Sequence, residues 1–174
     1  MNQPTLIFGG GTVGDSFSTP ADVTALLESL KTLGIPRIDT ASRYPPTAPG
    51  QSEKLLGEAR VVDHGFTVDT KINVLGDGRG SLTAEAIDTS IKDSLQRLGV
   101  QKVCYGFSTA TLCRRADGKP NKVNVLYCHM PDVQTPIKET AAAFNKHYGR
   151  GVFTRVRVYL PSWKGISHSL TLFK

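Results

Sequence analysis

Short apolar runs alternate along this chain with segments whose apolar residues recur every three or four positions, in units of about 30 residues. Thr5-Leu6-Ile7-Phe8, closed by Gly9-Gly10-Gly11, predicts a buried strand and a turn. Ser18 or Thr19 then caps a helix with Pro20 in its first position, Val23, Leu26, Leu27, Leu30 and Leu33 on one face, and Gly34 as its stop. Arg37-Ile38-Asp39-Thr40 is a second strand. The pattern repeats as a helix over 51–59, a strand over 67–72, and a helix capped by Ser81 or Thr83 that ends at Gly99. A strand over 123–128 and a helix opened by Pro136 follow. Alternation of this kind implies an α/β fold whose parallel strands are joined by right-handed helical crossovers.

One segment breaks the rhythm. Between Val103 and Asn124 the chain runs for about twenty residues where a helix-to-strand junction takes two to six, and these residues are polar, basic and without a clear period. Joining Val103 directly to Asn124 yields Gln-Lys-Val-Asn-Val-Leu-Tyr, an ordinary junction. Residues 104–123 therefore read as an insert of the kind a translated intervening sequence leaves; the simpler alternative is a long surface loop. Charge marks the same place. The 174 residues carry a net charge of +6, yet residues 1–139 hold 15 basic and 15 acidic side chains, and no acidic residue follows Glu139. The excess lies in Lys146, Arg150, Arg155, Arg157, Lys164 and Lys174. Nucleic-acid binding needs a basic face on a folded element. The dense basic regions here are the two segments that break the pattern, so that class ranks last.

Composition narrows the remaining classes. No run approaches the ~18 to 20 apolar residues of a membrane span, and Met1-Asn2-Gln3-Pro4 opens nothing resembling a signal peptide. A cytoplasmic protein without a membrane partner is the expectation. Cys104, Cys113 and Cys128 make neither a disulfide framework nor a CxxC pair, and no metal site is expected. Gly9-x-Gly11-x-x-Gly14 formally matches a dinucleotide fingerprint, with Asp39 downstream. In that motif, however, the helix starts inside the glycine loop; here Asp15-Ser16-Phe17 intervene, and a plain turn is the preferred reading.

Asp39, Tyr44, Lys71 and His129 form the stronger constellation, since the last three fall at or just beyond strand ends, which in an α/β barrel line the active face. A phenol is a poor acid at neutral pH, but a neighbouring ammonium stabilises its phenolate. Tyr and Lys together thus suggest carbonyl reduction, with Asp39 holding Lys71 and His129 donating to the substrate oxygen. Singly, each has a plain structural role open to it: a capping Asp, a loop Tyr, a surface Lys, a packed His. Tyr44 and Lys71 lie far apart in sequence, which argues against a Rossmann-type short-chain dehydrogenase with Tyr and Lys four apart on one helix.

Gly34-x-x-Arg37-x-Asp39-Thr40-Ala41, then Tyr44, then Glu53-x-x-Leu56-Gly57 resembles the first signature of the aldo-keto reductase superfamily. Thr70-Lys71-Ile72 and Leu126-Tyr127-Cys128-His129-x-Pro131-Asp132 are similar to its lysine and histidine strands, and Thr140-Ala141-Ala142-Ala143-Phe144-Asn145 resembles the aflatoxin-aldehyde-reductase-like branch. The resemblance covers about 5–103 and 124–153. It implies an NADP(H)-dependent oxidoreductase on a (β/α)8 TIM-type barrel that reduces a small-molecule aldehyde or ketone to an alcohol. Tyr44 would donate the proton, Lys71 and Asp39 would tune it, Asp39 would lie against the nicotinamide ribose, and His129 would orient the substrate.

Departures from the family are equally specific. Such a barrel needs ~250 residues, so the chain is expected to supply an N-terminal portion of about four to five units, an incomplete barrel. Residues 1–153 would be that portion, interrupted by 104–123, with 154–174 a basic segment outside the family pattern. Where the family carries Ser-Asn after the next strand, this chain reads Arg155-Val156-Arg157-Val158-Tyr159-Leu160. The loop that grips the 2′-phosphate has no counterpart, so weak cofactor binding and poor folding of the open half-barrel are expected. The competing expectation is an inactive remnant that acts by docking to a full-length homologue.

Overall fold

Helix ends follow the capping residues. The computed structural model describes residues 4–74, 80–100, 103–104, 111–112, 122–130 and 132–158. Helix α1 (Pro20–Thr32) starts after Thr19, whose hydroxyl accepts from the Asp22 amide at 3.1 Å while the Asp22 carboxylate accepts from the Thr19 amide at 3.0 Å. This reciprocal pair satisfies two amides that no intrahelical carbonyl reaches. Helix α2 (Gln51–Glu58) is shorter. Helix α3 (Ala84–Leu98) is capped by Thr83 and ended by Gly99 at φ 65°, and α4 (Ile137–Gly149) follows Pro136.

Among the described residues seven strands accompany them: β1 (Phe8–Gly9), β2 (Arg37–Asp39), β3 (Thr67–Lys71), β4 (Val103–Cys104), β5 (Thr111–Leu112), β6 (Val123–Cys128) and β7 (Phe153–Val158). Five of them pair in parallel in the order β1-β2-β3-β6-β7. Neighbours follow chain order, and among the described residues α1 packs on α2, α2 on α3 and α3 on α4, as the helices of successive β/α barrel units do. Between sheet and helices lies one apolar layer, with Leu27 of α1, Leu56 of α2, Ile87 of α3 and Phe144 of α4 buried against Ile38, Val68, Leu126 and Val156. The expected partial barrel of four to five units is the fold observed.

The first strand departs from expectation. Leu6 and Ile7 are exposed, and pairing begins at Phe8, opposite Ile38. In that register Leu6 would face Pro36, which has no N–H to donate, so the ladder cannot extend back to Thr5. The strand over 123–128 forms on the expected residues and pairs directly with β3, Lys71 opposite Tyr127. The interrupting segment contributes the short antiparallel pair β4·β5, a sheet of its own; the rest of 104–123, apart from Lys122 and Val123, lies outside the described residues. Strand β7 continues to Val158, so regular structure crosses the boundary that the sequence pattern places after residue 153. Residues 159–174 lie outside the described residues.

Gly57 sets the spacing of α2 and α3. A Cβ there would meet the Arg97 carbonyl oxygen at 2.0 Å, and backbone cannot swing aside as a flexible side chain can. Gly57→Ala is therefore expected to lose about 1–3 kcal/mol from overpacking, read as a lowered urea midpoint; an unchanged midpoint would mean the helices are free to separate. Shortening a surface connection changes its closure entropy by under about 1 kcal/mol per halving. Deleting 104–122 is expected to leave the far-ultraviolet circular dichroism per residue of the remaining chain nearly unchanged and to shift the urea midpoint only slightly. Loss of cooperative unfolding would show that the segment is integral to the fold.

Candidate active site

The C-terminal ends of β2, β3 and β6 lie side by side, and the last residues of these strands set the site. Asp39 ends β2 and Lys71 ends β3. The Lys71 ammonium, largely buried, donates to Asp39 Oδ2 at 2.6 Å and to the Thr40 carbonyl at 2.8 Å. Tyr44 sits on the turn after β2, its amide donating to the Ala41 carbonyl and its carbonyl accepting from the Ser52 amide, both at 3.0 Å. These bonds bring its ring under Lys71 Nζ, 4.6 Å from the ring centroid, a cation–π arrangement. His129 is the first residue past β6, and its ring meets that of Tyr44 edge to face at 6.0 Å and 89°. The four side chains singled out from the sequence therefore gather at one end of the sheet.

His129 has a distinctive environment. Burial, then the positive charges of Lys71 and Arg43, hold its imidazole below the ordinary value of 6.5, against the opposing pull of Asp39. The ring is thus neutral at physiological pH. Its buried Nδ1 has no hydrogen-bond partner among the described residues. A buried polar nitrogen left in that state is costly unless something fills the position. A substrate oxygen or a water held against the ring would do so.

Beneath the four lies a set of polar side chains of which Thr40, Glu53 and Thr70 stand in the sequence motifs without a role, while Ser52, Asp69 and Arg97 stand in none. Helix α2 enters the sheet end through Ser52 and Glu53, both fully buried. Ser52 Oγ lies 2.8 Å from Thr40 Oγ1 and donates to the Gly10 carbonyl at 2.9 Å. Glu53 accepts from Thr70 Oγ1 at 2.5 Å and from Arg97 Nε at 2.8 Å. Thr40 follows Asp39 and Thr70 precedes Lys71, so both reactive side chains are placed through their neighbours. Asp69, buried, accepts from Arg37 Nε at 2.7 Å, Asn124 Nδ2 at 2.7 Å and the Val125 amide at 3.1 Å, clamping β2, β3 and β6 together. The signal in the sequence is a run of polar residues, Asp69-Thr70-Lys71, at positions that a buried parallel strand would otherwise fill with apolar ones. Asp132 secures the loop after His129. Burial works against its charge, but the Thr135 hydroxyl at 2.6 Å and the amides of Leu82 and Gln134 hold its carboxyl below the usual range.

The glycines at 9–14 do not form a phosphate cradle. Helix α1 begins only at Pro20, and Gly14, at φ 106°, lies where a Cβ would come within 2.7 Å of Pro45 Cδ, beside Tyr44. Gly14 thus serves packing under the Tyr44 turn. Among the described cysteines, Cys128 is buried, its thiol pushed up to about 12 by burial while it donates to the Met130 carbonyl at 3.2 Å.

Comparisons with known proteins follow the same lines. The model of the aldo/keto reductase family matches residues 5–105. A probable voltage-gated potassium channel subunit beta from Oryza sativa subsp. japonica is 29% identical over 131 residues, covering 71% of this chain and 33% of that protein. The aldo-keto reductase pigE of Monascus ruber is 26% identical over 166 residues, covering 88% and 42%. Among solved structures, a thermostable aldo-keto reductase, Tm1743, in complex with the inhibitor epalrestat, superposes with a TM-score of 0.63 at 21% identity, covering 90% of this chain and 49% of that one. The chain thus spans between a third and a half of the length of these relatives. Two differently named relatives match at similar identity, so the comparisons give the family without choosing a branch.

The depressed His129 value makes stability depend on pH. Between that value and the ordinary 6.5 the unfolded chain binds the proton and the folded chain does not, so stability is full above the ordinary value and declines as pH falls through it. Between about pH 7 and about pH 5, the urea midpoint of the natural chain is expected to drop more than that of His129→Gln. Equal slopes would show that the imidazole is not shielded.

Proposed function

This chain belongs to the aldo/keto reductase family, and on that premise we propose that it reduces an aldehyde or ketone to an alcohol with NADPH, using Tyr44 as proton donor. The observation that carries the reading is the Lys71–Asp39 ion pair at 2.6 Å, held with Lys71 Nζ 4.6 Å from the Tyr44 ring centroid and His129 on the ring's other contact. The residues present fit the reacting end of a reduced nicotinamide dinucleotide. Asp39 keeps one oxygen, Oδ1, without a hydrogen bond among the described residues, an acceptor suited to a ribose hydroxyl, and the orphaned His129 Nδ1 marks where a further polar group is wanted. When bound, the dinucleotide supplies a hydride equivalent.

The chain's own residues handle the proton. As negative charge builds on the substrate oxygen, Tyr44 gives up its hydroxyl proton to that oxygen, and the fixed positive charge of Lys71 stabilises the phenolate left behind. Asp39 and the Thr40 carbonyl fix the ammonium by two hydrogen bonds, so no reorganisation is needed when the charge forms. His129, neutral, positions the carbonyl oxygen by a hydrogen bond from one ring nitrogen. The aflatoxin-aldehyde-reductase-like branch and a cytoplasmic location belong to this same proposal. Among the described residues no helix is long and apolar enough to cross a membrane.

A second reading, an inactive remnant that docks to a full-length homologue, draws on the sheet edges: among the described residues β1 and β7 each pair on one side only. Steady-state assays of NADPH oxidation with an aldehyde separate the two. Tyr44→Phe is expected to lower kcat by about 100-fold or more, the scale of general acid catalysis, with the circular dichroism unchanged. Absence of turnover in the natural chain, together with stable association with a full-length homologue, would favour the remnant.

A further inference from the structure

Lys71 is a largely buried cation with one donor more than its hydrogen bonds use. An ammonium carries three N–H groups. Asp39 Oδ2 accepts from it at 2.6 Å and the Thr40 carbonyl at 2.8 Å, and among the described residues no third acceptor takes a hydrogen bond from it. A buried donor left without a partner is unfavourable. The side chain is only 11% exposed, so an electron-rich ring face beside the ammonium counts for more than it would in open water.

Two rings supply such faces. The Tyr44 centroid lies 4.6 Å from Lys71 Nζ and the Tyr127 centroid 5.8 Å, both inside the reach of about 6 Å for a cation–π contact. Strand pairing puts Tyr127 there. It is in register with Lys71, and its carbonyl accepts from the Ile72 amide at 2.8 Å. Asp39, Thr40 and Tyr44 all belong to β2 or to the turn that follows it. Among the described residues, then, Tyr127 is the side chain that meets the ammonium from β6. Its hydroxyl makes no hydrogen bond among those residues, which leaves the ring as the part that acts.

We propose that Tyr127 is a positioning residue for the reduction: its ring face holds the Lys71 ammonium in place beside Tyr44. The inference rests on the reductase reading for its effect on rate and on the pairing of β3 with β6 for the contact itself. Stabilisation of a phenolate by a fixed charge falls as the charge moves away, and it is greatest when nothing has to reorganise as the reaction proceeds. Asp39 and Thr40 restrain Lys71 from the β2 side, and Tyr127 restrains it from the other.

Three replacements separate ring face, hydroxyl and bulk. Tyr127→Leu is expected to lower kcat for NADPH-dependent reduction of butanal about 3- to 30-fold, the span of one cation–π contact, with KM for butanal little changed. Tyr127→Phe, which keeps the ring face, should retain the natural rate. A trifluorinated phenylalanine at the same position has nearly the shape of Phe but an electron-poor face, and should be as slow as Tyr127→Leu. The two ring variants differ in fluorine alone, so their comparison stands even if Tyr127→Leu unfolds. Equal rates for them overturn the proposal. So does a Tyr127→Phe variant as slow as Tyr127→Leu, which would assign the effect to the hydroxyl, or a loss confined to KM, which would place the side chain against the substrate. Pulse acetylation of lysines, read by mass spectrometry, needs no turnover and separates this inference from the reductase reading. Lys71 should acetylate at the natural rate in Tyr127→Phe and about threefold or more faster in the trifluorinated variant, while the exposed Lys54 reacts equally in both and so reports intact folding. That pattern supports the contact even if butanal is never reduced, in which case the reductase reading alone fails. Lys71 acetylation indifferent to the side chain at position 127 overturns the contact whatever the rates.

Discussion

A carboxylate sealed from water must be matched by donors on every side, and in this chain that demand falls on Glu53. The side chain is fully buried at the start of α2, bonded to Thr70 of β3 and to Arg97 of α3. Removing one partner of a buried ion pair costs about 3–5 kcal/mol, whereas an exposed pair such as Lys54–Glu58, at 3.9 Å, is worth under about 1 kcal/mol. Glu53 therefore dictates where α2 docks. With α2 docked, Ser52 reaches Thr40, the Gly10 carbonyl and the backbone of Tyr44. Gly57, one turn on, lets α3 come close enough for Arg97 to complete the pair.

The candidate site inherits its order from that contact. Asp39 and Lys71 each adjoin a threonine held by α2, and Tyr44 hangs from a turn whose carbonyl is held by Ser52. Asp69 works one layer deeper, replacing apolar packing by a clamp that joins three strands. Polar residues in a parallel strand would ordinarily weaken it; here each finds its partners. The result is a rigid floor under a ring of chemically active side chains, with His129 kept neutral by burial and by nearby cations. Rigidity matters because a proton donor misplaced by an ångström loses much of its rate.

Much of this was legible beforehand, for identifiable reasons. Thr19, Pro20 and Asp22 mark the start of α1 because capping is a local matter of a few residues. Gly99 ends α3 for the same reason, at a φ that other residues avoid. The extent of strand β1 is not legible locally because it depends on Pro36, the residue before the neighbouring strand β2, which no local window contains. The glycines at 9–14 look like a phosphate loop in one dimension, but no helix starts within them, and Gly14 proves to be a packing residue in three, since Pro45 occupies the space where its Cβ would go. Arg155 and Arg157 read only as a break in the family pattern. That Arg157 stands in register with Tyr127, and Tyr127 with Lys71, is a matter of strand pairing.

The order of residues alone determined the alternation of strands and helices, the caps, the parallel sheet and the four side chains at strand ends. All of these follow from periodicity and from short-range chemistry along the chain. Only the tertiary structure decided that Asp39, Lys71, Tyr44 and His129 meet, that Glu53 and Ser52 hold them from below, and that Arg157 shares their face. Those facts depend on register between strands, and register is settled by which buried polar groups find partners across the sheet: Asp69 between Arg37 and Asn124, Glu53 between Thr70 and Arg97. Such partners stand up to 55 residues apart in the chain, beyond the reach of any local pattern.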